Sequence, residues 1–422
     1  MTPISLEDSG MFKHRDILDE LNKNLSLEQK VGMLLTQLRA RFPTIERIAV
    51  ALYEQKTDWL KTYLASGEGE NPLQHYSAKL SEAPSLQAIL KKGRPRVVND
   101  LDVFDQGQHK HTQAIRAQGY GSSYTMPMYV SGTFFGFLFF NSRSKDVFTE
   151  EVLHHLDMVG HLVSLVVINE VASIHTLQAS LKTAVTMVYH RDVDTGSHLD
   201  RMSNFAWLIA RELAPRYQFT DEQIEHIFFF APLHDMGKIG IPDAILKKQD
   251  KLTDAEFEDM KQHTTKGLEI IDVMLRNYGL EGLHHVGMLR NIALYHHEAI
   301  NGRGYPKGLK GDEIPIEARI VSVADIFDAL TSKRPYKKAW SNDEAFATLR
   351  KMAGTQVDQD CVEALIKCRG EIEQIQAKLK EDPRWYTSDS GINYYKIDRG
   401  GYFQTTVRLP AGTTIDKIEK LA

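Results

Sequence analysis

The stretch from His234 to Lys337 opens with His234-Asp235-Met236-Gly237-Lys238 and passes His263. It then reads His296-His297-Glu298, followed by Asn301-Gly302-Arg303-Gly304-Tyr305-Pro306. It closes with Ala324-Asp325 and Arg334-Pro335-Tyr336-Lys337. At its upstream end Ile224, Ile227, Phe228, Ala231, His234 and Asp235 recur at steps of three and four, which predicts one helical face. An imidazole and a carboxylate on an otherwise apolar stripe point inward, and buried groups of that kind need partners or a metal. Helical patterns continue through residues 191–370 without a convincing strand, so an all-α domain is expected there. Imidazole and carboxylate ligands with little sulfur suit Fe or Mn. Several such ligands can hold two or more ions, an arrangement suited to hydrolysing phosphate esters.

Seventeen histidines make any one His-Asp pair uninformative, so context decides. Of the three His-His pairs, His154-His155 falls on the solvated start of a helix. His284-His285 lies in a loop-like, glycine-rich stretch and carries no expected role. His296-His297 sits beside a glycine-rich turn, where glycines let backbone approach a ligand closely.

These elements, in this order and at nearly even spacing over about residues 185–365, resemble the HD-GYP family, a branch of the HD-domain phosphohydrolases. The resemblance extends through Arg191-Asp192, Thr195-Gly196-Ser197-His198, Met260–Gly267 and Pro315–Asp328. It implies a phosphodiesterase that opens cyclic di-GMP to pGpG or GMP. The metal ligands it implies are His198, His234, Asp235, His263, His296, His297 and Asp325. Asp194 stands where some members carry an acidic residue, usually Glu, that helps hold a third metal, so two or three ions are implied. Asp235 is implied as the bridge between ions, because a carboxylate has two oxygens. Lys238 would steady charge on the phosphate, Arg334 and Lys337 would bind phosphate, and Tyr305 would contact substrate. Asn301 departs from the family's usual Asp and removes a charge from the loop. The alternatives are a catalytically weak cyclic di-GMP receptor or interaction module, and a hydrolase of another cyclic dinucleotide.

Upstream, residues 1–148 mix strands and helices, the pattern of an α+β domain. A helix is expected at Leu27–Ala40 and a short one at Ser85–Leu90. Strands are expected at Arg47–Tyr53, Trp59–Leu64 and Arg96–Asn99, with a hairpin of Tyr124–Val130 and Thr133–Asn141 turning at Ser131-Gly132. Arg96–Leu101, Gly121–Val130 and Gly136–Phe140 give residues 26–170 a resemblance to the GAF fold, a small-ligand sensor. The absence of Cys from residues 1–170 argues against a thioether-linked bilin. Residues 149–190 read as one helix with near-heptad spacing at Val163, Val167, Glu170, Ile174, Leu177, Leu181, Ala184 and Val188. That spacing predicts a parallel coiled coil that makes a homodimer. Residues 371–422 form a C-terminal extension without a functional reading. A helix is expected at Ile372–Lys380 and a strand at Tyr402–Arg408.

The net charge of −5, without a basic tail, argues against long nucleic acid as a partner. Cys361 and Cys368 read as free thiols in a reducing compartment. The charged N-terminal residues carry no apolar signal region, and the longest unbroken apolar runs are too short to span a bilayer. A cytoplasmic protein is expected: a sensor domain, a linker helix and a metal-dependent phosphohydrolase domain.

Overall fold

The computed structural model describes residues 16–67, 75–104, 115–116, 118–189, 196–248, 250–282, 284–332 and 339–379, with backbone alone at 178, 181–189 and 196–197. The first helix, α1 (Leu27–Arg41), starts at a capping box in which Ser26 and Gln29 satisfy each other's backbone N–H. Six antiparallel strands follow: β1 (Arg47–Glu54), β2 (Trp59–Gly67), β3 (Ser77–Lys79), β4 (Arg96–Val98), β5 (Ser122–Val130) and β6 (Thr133–Ser142). They lie in the order β3-β2-β1-β6-β5-β4. The β5–β6 turn places both Ser131 and Gly132 at positive φ, as a two-residue hairpin loop requires. Strand alternation sends Ile48, Val50 and Leu52 into the cluster that holds Leu34 and Leu38 of α1. Ala49, Ala51 and Phe137 face the other way, onto Leu86 and Ile89 of α2 (Pro84–Lys92). The expected strands and helices of this domain are present, and three-residue β3 is an addition to them.

The long helix is α3 (Glu150–Tyr189). Its apolar seam differs from expectation. Val163, Val167, Ile174 and Leu177 are fully or almost fully buried within the single chain, in the same cluster as both domains. Heptad spacing reports an apolar stripe and not its partner, and here the partner is the chain's own body. Over these residues the seam is therefore not free to form the coiled coil. The expected seam residues Leu181, Ala184 and Val188 lie outside the described side chains. Residues 150–177 are long and apolar enough by length and composition to cross a membrane, but one face of this stretch is packed as a core helix.

The remainder is helical: α4 (Gly196–Tyr217), α5 (Asp221–Phe230), α6 (Asp243–Leu246), α7 (Asp254–Lys261), α8 (His263–Tyr278), α9 (Val286–Tyr295), α10 (Ile316–Thr331), α11 (Asn342–Met352), α12 (Gln359–Lys367) and α13 (Arg369–Lys378). The helical face predicted through Asp235 stops early. Pro232 cannot donate to the carbonyl of Phe228, so α5 ends at Phe230 and a 3-10 turn carries the chain to His234. The expected strand at Tyr402–Arg408 lies outside the described residues.

The strand domain docks directly on the helical one. Trp59 meets Trp207 edge-on at 5.5 Å. Lys61 is buried with its ammonium 3.0 Å from Glu54 and over the rings of Trp207 and Phe228. The backbone N–H of His75 donates to Asp221 at 2.7 Å.

Candidate metal centre

Seven of the eight expected metal ligands lie on described residues and converge. His234 and Asp235 follow the 3-10 turn after α5. His263 opens α8, His296 and His297 follow α9, His198 lies in the first turn of α4, and Asp325 projects from α10. Asp235, His263, His296 and His297 form one group, and His198, His234 and Asp325 form a second. In each group the possible ligand atoms lie within 4.8 Å of one another. Asp235 joins the groups: one oxygen is 3.2 Å from His234 Nε2, and the other is 3.4 Å from His263 Nε2 and 3.8 Å from His296 Nε2. Asp325 lies 3.8 Å from His198 Nε2 and 4.0 Å from His234 Nε2. Asp194 lies outside the described residues.

The imidazoles are held from behind. Nδ1 of His234, His263 and His296 lies 2.7–2.9 Å from the carbonyls of Ala231, Met260 and Ile292. Donation to a carbonyl fixes a proton on Nδ1, so Nε2 is the nitrogen that a metal can take; at His234, where burial is outweighed by Asp235 and the pKa rises to about 9, a metal would replace the Nε2 proton. Two such nitrogens, His263 Nε2 and His296 Nε2, face each other at 3.4 Å. His234 Nε2 and an oxygen of Asp235 are buried without a hydrogen-bond partner. Buried acceptors converging in this way fit a divalent cation.

Local packing fixes the turn that carries Asp235. A Cβ on Gly237 would lie 1.8 Å from the carbonyl oxygen of His263, so only glycine lets this turn lie against the start of α8. Lys238 then reaches 2.6 Å from Asp235. Burial alone would raise the carboxyl of Asp235, but Lys238, His234 and His263 outweigh it and hold its pKa well below the usual range. Burial, with the neighbouring histidines adding to it, pushes His296 well down. Burial is also the main reason His297 falls to about 3. Both are therefore neutral and able to coordinate.

The Tyr305 loop is tied to the same centre. The ring of Tyr305 lies 4.8 Å from that of His297, and its backbone N–H donates to the His297 carbonyl at 3.2 Å. Burial, reinforced by Asp235, raises its hydroxyl pKa, so the phenol stays protonated. Asn301 accepts from the Arg303 N–H at 2.9 Å, closing the turn that opens the loop. Arg334 and Lys337 lie outside the described residues.

Three residues without an expected role support this arrangement. Buried Glu298 accepts the backbone N–H groups of Lys307, Gly308 and Leu309 and so holds the loop's far side. Asp328 binds His198 Nδ1 at 2.6 Å and Arg201 Nε at 2.7 Å. The sequence carries a signal for the last pair: Asp328 follows Asp325 by three, Arg201 follows His198 by three, and such spacing shares a helical face.

Residues 190–361 match the HD domain family, and residues 18–167 match the GAF domain family. The chain is a GAF domain joined to an HD domain. The chain is 45% identical, over 196 residues, to the cyclic di-GMP phosphodiesterase response regulator RpfG of Xanthomonas campestris, covering 46% of this chain and 49% of that protein. It is 42% identical over 214 residues to a cyclic di-GMP phosphodiesterase of Thermotoga maritima, covering 50% of this chain and 54% of that one. A 3'3'-cGAMP-specific phosphodiesterase of Vibrio cholerae is 36% identical over 191 residues, covering 45% of this chain and 34% of that protein. The chain thus spans about half the length, or less, of these curated relatives.

Proposed function

We propose that this chain hydrolyses the phosphodiester bonds of cyclic di-GMP, giving pGpG and then GMP, under control of the GAF domain. The observation that carries the reading is the double ligand group joined by Asp235, whose anchored histidines turn free Nε2 atoms on one spot. Its resident ions are two or three, Fe or Mn, held by His198, His234, Asp235, His263, His296, His297 and Asp325, with Asp194 as a candidate for the third. When bound, such ions polarise a phosphoryl oxygen and supply a nucleophile active at neutral pH. Lys238 offers its cation to the phosphate oxygens as charge builds there. Tyr305, protonated and beside His297, donates a hydrogen bond to substrate or stacks on a base. Arg334 and Lys337 are proposed to take a phosphate, Arg through its planar fork of donors.

The names of the relatives support cyclic di-GMP as substrate. The cGAMP-specific relative keeps a second reading open, in which another cyclic dinucleotide is preferred. The two buried free thiols, Cys361 and Cys368, agree with a reducing cytoplasm. A homodimer is proposed through the outer face of α3, where Met158 and Leu165 lie one heptad apart and are 60% and 64% exposed.

The test is metal content together with turnover of cyclic di-GMP and 3'3'-cGAMP, on full chain purified without oxygen. Two to three Fe or Mn per chain, with cyclic di-GMP turnover lost in Asp235→Ala, is the expected result. Full metal occupancy without turnover of cyclic di-GMP would overturn the reading. It would leave the receptor role, or cGAMP hydrolysis if that substrate is cleaved.

A further inference from the structure

A third group of metal-type ligands lies away from the HD centre, where the two domains meet. Glu222 and His226 sit one turn apart on α5, and His285 stands on the loop before α9. Their possible ligand atoms lie within 4.8 Å of one another, with His285 Nε2 3.6 Å from Glu222 Oε1. Glu222 and His226 are 4% and 0% exposed.

The polar atoms here lack partners. Glu222 Oε1 and His226 Nε2 are buried without a hydrogen bond. So are Glu170 Oε1 of α3 and the Tyr63 hydroxyl of β2, and Glu222 acts electrostatically on both. Burying such a group without a partner is costly, so Glu222 Oε1 and His226 Nε2, both unpartnered and in one group of possible ligand atoms, point to a missing shared partner. The tautomer agrees. His226 Nδ1 lies 2.7 Å from the carbonyl of Glu222, which leaves Nε2 as a lone pair turned inward. Lys30 of α1 and His285 both act electrostatically on Glu170. A cleft lined in part by Tyr63, Asp221 and Glu222 opens on the Glu222 side of the group.

We propose that Glu222, His226 and His285 bind a zinc ion, which ties α5 to the loop before α9 on the face of the HD domain that meets the GAF domain. Two imidazoles and one carboxylate, with a fourth position left open, are within zinc's range. Zinc bonds of about 2.0–2.1 Å place ligand atoms about 3.3 Å apart, so atoms now within 4.8 Å of one another must draw in. His285 can supply that movement, because it stands on a loop. The site uses none of the residues assigned to hydrolysis and stands whether or not that assignment does.

The test counts zinc by mass spectrometry on full chain that has been stripped of metal, reloaded with zinc and desalted. The parent is compared with His285→Ala and His226→Gln. One zinc fewer per chain in each variant is expected. Cobalt loading should give the parent a four-coordinate visible absorption that His285→Ala loses. His285 is on a loop and part-exposed, so its variant carries the comparison if His226→Gln does not fold. Equal zinc in the parent and His285→Ala, with identical cobalt spectra, would overturn the proposal.

Discussion

The Nδ1 of His198 lies 2.6 Å from a carboxylate oxygen of Asp328, a residue with no exposure to solvent. The same carboxylate takes Arg201 through two nitrogens and receives the Ser332 hydroxyl. It therefore orients an imidazole whose other nitrogen faces Asp325. Asp328→Asn keeps the shape and removes the charge. Metal affinity is expected to fall about 10–100-fold, measured by competition with a chromophoric chelator, while the far-ultraviolet circular dichroism stays that of the parent. Unchanged affinity would show that His198 needs no orienting carboxylate.

Gly237 is held to glycine by backbone atoms, which cannot yield as a side chain can. An added Cβ would meet the His263 carbonyl oxygen at 1.8 Å and the Gly267 nitrogen at 2.4 Å. Gly237→Ala is expected to destabilise the chain by about 1–3 kcal/mol or more and to push Asp235 away from His263. Chemical denaturation gives the first effect and metal content the second. A variant with parental values of both would mean the turn relaxes freely.

Lys61 is a buried cation between the two domains, paired with Glu54 and covered by Trp207 and Phe228. Its removal would leave Glu54 and buried Glu225 without that charge. Lys61→Met is expected to cost about 3 kcal/mol, the lower end for breaking a buried pair. A denaturation midpoint equal to that of the parent would show that methionine packing replaces the ion pair fully.

Met158 and Leu165 give α3 an exposed apolar edge on the side away from its buried seam. Light scattering at micromolar concentration should report a dimer for the parent and a monomer for Leu165→Glu. A monomeric parent would remove the proposed pairing.

Much of this architecture was legible before any coordinates. The hairpin around Ser131-Gly132 announced itself by alternation and by residues that accept positive φ. The seam of α3 was visible too, but a stripe of Val163, Val167, Ile174 and Leu177 looks the same whether it meets a second chain or its own domains. The end of α5 was missed because the apolar period continued through Pro232. The expected ligands His198, His263 and Asp325, far apart in sequence, come into view through family resemblance. Periodicity alone reached only His234 and Asp235. Glu298 went unassigned because its partners are three backbone N–H groups of its own loop, which no residue type marks, and Asp328 is signalled only by its three-residue step from Asp325. His285 was passed over because its neighbours Glu222 and His226 lie about sixty positions earlier.

The buried apolar side chains do not divide where the sequence divides. One continuous cluster runs from Leu27 in the GAF domain, through α3, to Ile375 beyond the HD motifs. A cut near residue 149 would open an oily wall on both fragments, so neither half is a natural unit for excision. The two domains should therefore melt as one. By mass action, whatever binds and tightens the GAF domain then adds its binding free energy to the stability of the helices that carry the metal ligands. Occupancy of the GAF domain and the geometry of the proposed metal centre would then share a single folding equilibrium, with no hinge needed to carry the message.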